Sequence, residues 1–372
     1  MDFNVPIDGG RIVDDARIRE AVPTFKRLLA GGASVVVATH MGRPQGRVVE
    51  ELRVAPLATR LGELLGVPVE VAPAVVGEEV LERTHALQPG AVLMLENVRF
   101  EPGEESNDAG FARRLAELAD VYVNDAFGAA HRAHASTEGV AHLLPAAAGL
   151  LMQREVEVLG GVLTEPALPL VAIVGGAKIS SKIGVMEHLL PRVEWMLVGG
   201  AMACTMLKAR GATVGASKVE EDQLETARRL LSEAGKKLVL PVDAVVADAF
   251  GEDARRQTVA ADAIPDGWMM LDVGPATVAA FSEAIRTAGT VVWNGPLGVY
   301  EMAPFRAGTE GVARAIAASH AVSVIGGGDL GAALSTLGLE GSITHVSTGG
   351  GATLEFLEGR ELPGIKALEE VD

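Results

Sequence analysis

Four arginines and a series of glycine turns carry the chemical signal of this chain. Arg43, Arg99 and Arg132 close the runs VVVATHMGR (35–43), VLMLENVR (92–99) and VYVNDAFGAAHR (121–132), and Arg17 falls in a loop near the end of the run Met1–Asn4. A guanidinium grips phosphate or carboxylate through two parallel N–H bonds, so several of them beside successive strand ends suit a small phosphorylated acid. Taken singly, each would read as a solvated or ion-paired surface residue; the repetition is what points to a site. His40 and His131 accompany them, and each reads equally well as a site group or as a satisfied structural histidine.

The second half is punctuated differently. Its apolar runs stop at glycine, in VAIVGGAK (171–178), MLVGGAM (196–202), VVWNGPLG (291–298), VSVIGGGD (322–329) and HVSTGGG (345–351). Glycine takes φ > 0 freely and lets backbone approach a phosphate with no Cβ in the way. A helix N-terminus then adds free N–H groups and a favourable dipole. Gly175, Gly176, Ala177 and Lys178 lead into a predicted helix containing Lys182, and the spacing of four predicts both lysines on one face, aimed at one polyphosphate. Neither GxxxxGK[ST] nor a GxGxxG opening a helix after a strand is present. Asp329, after Gly326–Gly328, reads as a Mg²⁺ ligand beside substrate phosphates, as a helix N-cap, or as both. Glu301, after Asn294–Gly295–Pro296, reads as an acceptor for ribose hydroxyls or as a solvated carboxylate.

An apolar run followed by polar residues is the pattern of a buried parallel strand and its carboxyl-end loop, where open α/β sheets bind ligands. Two kinds of punctuation therefore predict two sheets serving two ligands. Strands and helices alternate throughout. Pro23 is expected to open a helix through TFKRLLA, stopping at Gly31–Gly32. Further helices are expected at 54–65, 109–119, 179–189, 201–209, 219–234, 275–288 and 307–319, with strands at 34–39, 121–123, 169–174, 195–198, 290–293 and 322–325. A longer amphipathic helix spans 149–163, and the Thr164–Ala167 segment after it is the best place for a domain boundary.

Bulk composition narrows the class. A chain of 372 residues suits two domains, and 48% hydrophobic with only 4% aromatic residues favours helices on parallel sheet. A net charge of −17 argues against nucleic-acid and membrane-surface partners and makes a local arginine cluster more telling. Cys204 is the only cysteine, which leaves no intrachain disulfide and makes the reducing cytoplasm the expected setting. The start MDFNVPIDGG lacks a signal-peptide pattern, and no run approaches 18 apolar residues. Cys204, His85, His142, His188 and His320 read as structural.

Read together, these segments resemble the phosphoglycerate kinase family along nearly the whole chain. The resemblance rests on DFNVP (2–6), THMGRP (39–44), LENVRFEPGEE (95–105), VNDAFGAAHRAHAS (123–136), GGAKISSKI (175–183), LVGGAM (197–202), LDVGPAT (271–277), VWNGPLGVYE (292–301), GGGD (326–329) and HVSTGGGATLEFLEG (345–359). It implies an α/β protein of two doubly wound, Rossmann-like parallel-sheet domains facing each other across a cleft. Residues 1–150 would bind 3-phosphoglycerate and 360–372 would return to that domain; 151–163 would be the hinge helix, and 164–359 would bind MgATP or MgADP. The resemblance places Asp2, Phe3, Asn4, Arg17, His40, Met41, Gly42, Arg43, Arg99 and Arg132 on the phosphoglycerate. It places Gly175, Gly176, Lys178, Lys182, Gly199, Gly200, Leu271, Asn294, Glu301, Gly327, Gly328, Asp329 and Leu330 on the nucleotide, with Asp329 on the Mg²⁺. Arg17 and Lys178 would stabilise the transferring phosphoryl group. A monomeric cytoplasmic enzyme of glycolysis is implied, the alternative being a relative that binds ligands without turnover.

Three positions depart from the family pattern. A strand and short lead usually precede DFNVP, whereas here Asp2 follows Met1, so Asp2 and Asn4 are expected to fray. Leu330 stands where a hydroxyl residue is usual, and Met270, where many members have glycine, is expected to narrow the nucleoside pocket or pack on the base.

Overall fold

The structure is a computed structural model that describes residues 1–369, apart from the side chain of Asp329. The chain divides into two compact units, one of Met1–Glu157 with the segment from Glu361 onward, the other of Val158–Arg360.

The first unit opens with a hairpin, β1 (Ile7–Asp8) and β2 (Arg11–Ile12), turned by Gly9 and Gly10 at φ 54° and 78°. Helix α1 (Ala16–Ala30) follows, with Pro23 in its interior. The expected start at Pro23 is thus corrected. The start signal is Asp14, whose Oδ1 accepts the Ala16 N–H at 2.9 Å, and the proline costs only one interior bond. Arg17 consequently lies in the first turn of a helix and not in a loop. Then come β3 (Val35–Val37), α2 (Ala55–Leu65), β4 (Val69–Val71), α3 (Glu78–His85), β5 (Val92–Met94), α4 (Ala109–Ala116), β6 (Tyr122–Asn124) and β7 (Ala146–Ala148). Gly66, at φ 73°, ends α2 in the left-handed conformation a C-cap glycine supplies.

These strands make two parallel groups, β3-β5-β4 and β6-β7. A cavity of about 730 Å³ lies along Ala33–His40 on one side and Glu117–Val123 on the other. One core packs Phe3, Phe25, Val35, Val37 and Leu57; the other packs Leu93, Leu95, Phe111, Leu115 and Val140. The carboxylate of Asp125, after β6, accepts Thr24 Oγ1 at 2.6 Å and Met152 N at 2.9 Å, joining α1 to the start of α5 (Leu150–Thr164). The last helix, α13 (Pro363–Glu369), returns to this unit, where Gly364 N donates to Ala130 O at 2.9 Å. Residues 370–372, also expected to return here, lie outside the described residues.

Besides the short β10 (Thr213–Val214), the second unit is organised on β8 (Leu170–Val174), β9 (Trp195–Val198), β11 (Leu238–Val239), β16 (Thr290–Asn294), β17 (Val322–Gly326) and β18 (His345–Ser347). They form one parallel sheet in the order β11-β9-β8-β16-β17-β18. Every residue of β8 and β16 is buried, as expected for strands covered on both faces. Strand β12 (Asp243–Ala247) pairs antiparallel with β13 (Arg256–Ala260) and β15 (Met269–Val273), while β14 (Ala263–Ile264) pairs with β10. The helices are α6 (Ile183–Leu189), α7 (Met202–Ala209), α8 (Leu224–Ala234), α9 (Pro275–Arg286), α10 (Ala307–Ala317), α11 (Gly328–Leu337) and α12 (Gly351–Leu357). The strand order reverses between β8 and β16, so a crevice is created at their carboxyl ends.

Candidate active site residues in two groups

In the first unit the segment Asp2–Asn4 is held, not frayed as expected. Phe3 is fully buried, its N–H donates to Thr39 Oγ1 at 3.0 Å, and Asn4 Oδ1 accepts Gly42 N at 3.0 Å. Asp2 pairs with Arg17 at 2.8 Å and faces His40 at 3.9 Å. Burial pushes the Asp2 carboxyl up, but Arg17, His40, the Asn4 N–H bond and the amino terminus together hold it below its ordinary range. Burial and the nearby Arg99 and Arg17 push His40 down to about 4, against the pull of Asp2, so its ring is neutral at pH 7. Arg99 is 4% exposed, donates to Gly42 O at 2.8 Å and lies 3.4 Å from Glu105. Its Nε makes no hydrogen bond, and the neighbouring Arg132 adds like charge. Arg132 is bonded to His131 at 3.1 Å. Arg43 stands exposed on the same loop.

The structure therefore brings together Asp2, Asn4, Arg17, His40, Gly42 and Arg99, with Arg132 close to Arg99. Phe3 and Met41 turn their side chains into the core, so only their backbone can meet a ligand. Sequence reasoning missed the residue that holds the loops. Asn97 is fully buried; its Oδ1 accepts Met41 N at 3.2 Å and Arg99 N at 3.1 Å, and its Nδ2 donates to Met41 O and Leu52 O, both at 2.9 Å. Glu104, 2% exposed, likewise anchors Ser136 through bonds of 3.0 and 2.6 Å. Nothing in the local spacing signals this role for Asn97, because Met41 and Leu52 lie far from it along the chain.

In the second unit a pocket of about 360 Å³ opens at the β8/β16 crevice. Gly175, Gly176, Lys178, Lys182, Asn294 and Gly327 line it, with Leu330 and Leu354 as apolar wall. Backbone builds it: Gly175 N donates to Asn294 O and Gly176 N to Pro296 O, both at 2.9 Å. A Cβ on Gly175 would lie 2.3 Å from Pro296 O, and one on Gly200 would lie 2.5 Å from Gly176 N. Lys182 is buried and donates to Asn294 Oδ1, whereas Lys178 is exposed. The expected shared helix face is corrected: Lys178 is extended at φ −134° and ψ 124°, a 3₁₀ turn spans Ile179–Ser181, and α6 starts only at Ile183. The glycine turn converts the strand direction before a helix can form, and both lysines still line the pocket.

Gly199, Gly200 and Leu271 do not line this pocket: Gly199 N donates to Val174 O at 2.9 Å, Gly200 N donates to Leu297 O at 3.0 Å, and Leu271 O accepts Val299 N at 2.8 Å. Glu301 is exposed on the turn beyond Pro296. Gly328 and Asp329 open α11, where Gly327 at φ 112° turns the chain; the Asp329 side chain lies outside the described residues. Leu330 is 1% exposed, so its side chain fills core beside the pocket. Met270 lies on β15, in the strand that pairs with β12. It is 4% exposed and packs on Cys204, with sulfurs 3.6 Å apart.

A glycine-built pocket at the switch point of a parallel sheet, in one chain with a converging arginine set, is the layout of a phosphate-transferring α/β enzyme. The family description "Phosphoglycerate kinase" matches residues 1–360. The chain is 57% identical over 373 residues to phosphoglycerate kinase of Moorella thermoacetica, covering 100% of this chain and 95% of that one. It is 55% identical over 371 residues to that of Pelotomaculum thermopropionicum, covering 99% and 94%. The solved phosphoglycerate kinases of Coxiella burnetii (TM-score 0.87, 43% identity) and Pyrococcus horikoshii OT3 (TM-score 0.90, 34% identity) each match 99% of this chain and 94% of their own. The chain belongs to the phosphoglycerate kinase family. Its reaction is reversible phosphoryl transfer between ATP and 3-phosphoglycerate in glycolysis.

Proposed function

We propose that the arginine group of the first unit binds 3-phosphoglycerate and that the glycine pocket of the second binds MgATP or MgADP. In the forward sense the bond from the γ-phosphorus to the bridging oxygen breaks. A bond to the substrate carboxylate forms, giving 1,3-bisphosphoglycerate and ADP. No proton moves, because a carboxylate with a pKa of roughly 4 is already ionised at neutral pH. The neutral His40 and the cationic Arg17, Arg43, Arg99 and Arg132 therefore bind and orient; none has to act as a base. Lys178 and Arg17 are the residues we assign to the charge on the equatorial oxygens, and the glycine amides cradle the β- and γ-phosphates.

Mg²⁺ fits this donor set as a companion of the nucleotide. Among the described residues no group of three or more His, Cys, Asp or Glu could hold a metal alone. One carboxylate, Asp329, with phosphate oxygens is the combination Mg²⁺ favours, and the ion would neutralise phosphate charge. We read the acceptor role of Glu301 and the hinge role of 151–163 as part of the same proposal. We also propose a cytoplasmic monomer; the lone cysteine is buried, and no described helix is long and apolar enough to cross a membrane.

The observation that carries the reading is the Asp2–Arg17–His40 cluster beside Gly42 and Arg99, which gathers two arginines in a chain of net charge −17. Arg17→Ala should cut turnover of 3-phosphoglycerate and MgATP by roughly 10³-fold or more, in line with arginines that stabilise transferring phosphoryl groups, with an unchanged circular dichroism spectrum. A coupled assay in which that variant keeps a tenth of the rate would remove Arg17 from the role.

A further inference from the structure

Asp272, near the end of β15, is 1% exposed, and no ion pair with a cation is found for it among the described residues. Its Oδ1 accepts Val273 N at 2.9 Å and its Oδ2 accepts Gly308 N at 2.7 Å. A carboxylate buried without a cation is costly and needs such bonds to persist. The backbone also closes on it from two sides. A Cβ on Gly298 would lie 2.2 Å from Oδ1, and one on Gly308 would lie 2.3 Å from it.

Those two glycines bracket the crossover from β16 to α10. Between them regular structure is limited to one 3₁₀ turn, Ala303–Phe305. The near end is stitched to the glycine turns: Gly176 N donates to Pro296 O at 2.9 Å, and Gly200 N to Leu297 O at 3.0 Å. Val299 N donates to Leu271 O at 2.8 Å, beside the carboxylate itself. At the far end α10 has no side-chain cap of its own, and Asp272 takes the Gly308 N–H that such a cap would serve.

We propose that Asp272 is a positioning residue for the nucleotide pocket, its carboxylate clasping both ends of the 298–308 crossover and so holding Pro296 and Leu297 against the glycine turns. This rests on reading that pocket as the nucleotide seat.

Burial pushes the Asp272 carboxyl up to about 7; the Gly308 and Val273 N–H bonds pull the other way, and Glu310 adds like charge. Glu310 lies in the first turn of α10, 3.6 Å from Arg314. Across the ladder β12 brings uncharged Val245, and the crossover brings Gly298 and Phe305. Ionised, both oxygens accept N–H bonds at full charge; protonated, one oxygen weakens as an acceptor. Burial outweighs those bonds, and opening to water returns the carboxyl to its ordinary range, so the closed clasp is favoured below pH 7 and loosens as pH rises through it.

Asp272→Asn keeps the shape, weakens the clasp and cannot titrate. The KM for MgATP should rise about five-fold or more at pH 6, with kcat within two-fold and the KM for 3-phosphoglycerate unchanged. The rise in nucleotide KM as pH rises through 7 in the parent should flatten in the variant. Equal rises in both KM values, or an unflattened pH profile, would overturn the proposal. Hydrogen exchange on the unsubstituted protein gives a second measurement, independent of nucleotide and of variant folding. Protection factors at Gly308 and Val299 should be lower at pH 8 than at pH 6, and equal factors would overturn the clasp. Absence of MgADP binding by calorimetry in the parent would instead sink the reading of the pocket.

Discussion

The two units hold their sites by opposite means. In the first, side chains set the geometry: Asn97, Asn4, Asp2 and Glu104 each tie loops from distant strands. In the second, backbone touches backbone, and glycines at β8, β9 and β16 remove every Cβ that would intervene. The sheets differ in the same way. The second unit has six strands in one unbroken order, while the first has groups of three and two beside a cavity of about 730 Å³. A continuous sheet can aim its strand ends without help. A divided one needs a side-chain network to keep its loops in register.

The sharpest way to break the comparison is to put a methyl group into the backbone-built site. Gly175→Ala would place Cβ 2.3 Å from Pro296 O, a clash that only backbone movement relieves. We expect affinity for MgADP to fall more than about 100-fold and stability to fall by about 1–3 kcal/mol, the usual range for overpacking. Calorimetry showing affinity within three-fold of the parent would mean that contact is not what shapes the pocket. The matching test in the first unit is Asn97→Ala, which strands the Met41 and Arg99 N–H groups and two carbonyls. That should cost about 2–3 kcal/mol by denaturant unfolding and raise the KM for 3-phosphoglycerate while sparing that for MgATP. Equal effects on both substrates would mean the network is not local.

The sequence signals that survived are those whose cause is local. Strand β9 lies at Trp195–Val198 as expected, and the stop of α2 at Gly66 follows from one left-handed residue. Pro23 misled because its restriction weighs less than the Asp14 start signal and the packing of Ile18, Ala21 and Phe25 on the core. Lys178 and Lys182 misled because four residues share a face only inside a helix, and an extended turn separates these two from one. Asn97 and Asp272 were illegible for another reason. Their partners lie 56 residues away at Met41 and 36 away at Gly308, and no spacing rule reaches that far. Met270 was placed by neighbours in the chain, whereas its side chain is placed by Cys204 across the core.

The smallest effect separates the units by the sign of their response to acid. Burial, helped by the Arg99 charge, holds both His40 and His134 down at about 4, below an ordinary value of 6.5. Between those limits the unfolded chain binds more protons, so each histidine contributes stability that is complete above pH 6.5 and lost as pH falls toward 4. Asp272 does the reverse: its carboxyl is raised from 3.8 to about 7, so the folded state binds the extra proton and stability declines as pH rises through that window. Glu104 and Asp125, raised by burial, oppose the histidines within the first unit, so the net slope there is modest. Replacing both His40 and His134 by Gln should therefore flatten the loss of stability between pH 6.5 and 4. Asp272→Asn should flatten the decline between pH 4 and 7. Urea unfolding at half-unit pH steps, followed by amide exchange in each unit, reads the two slopes separately. Slopes of one sign in both units would show that burial of these groups does not govern how the halves respond to acid.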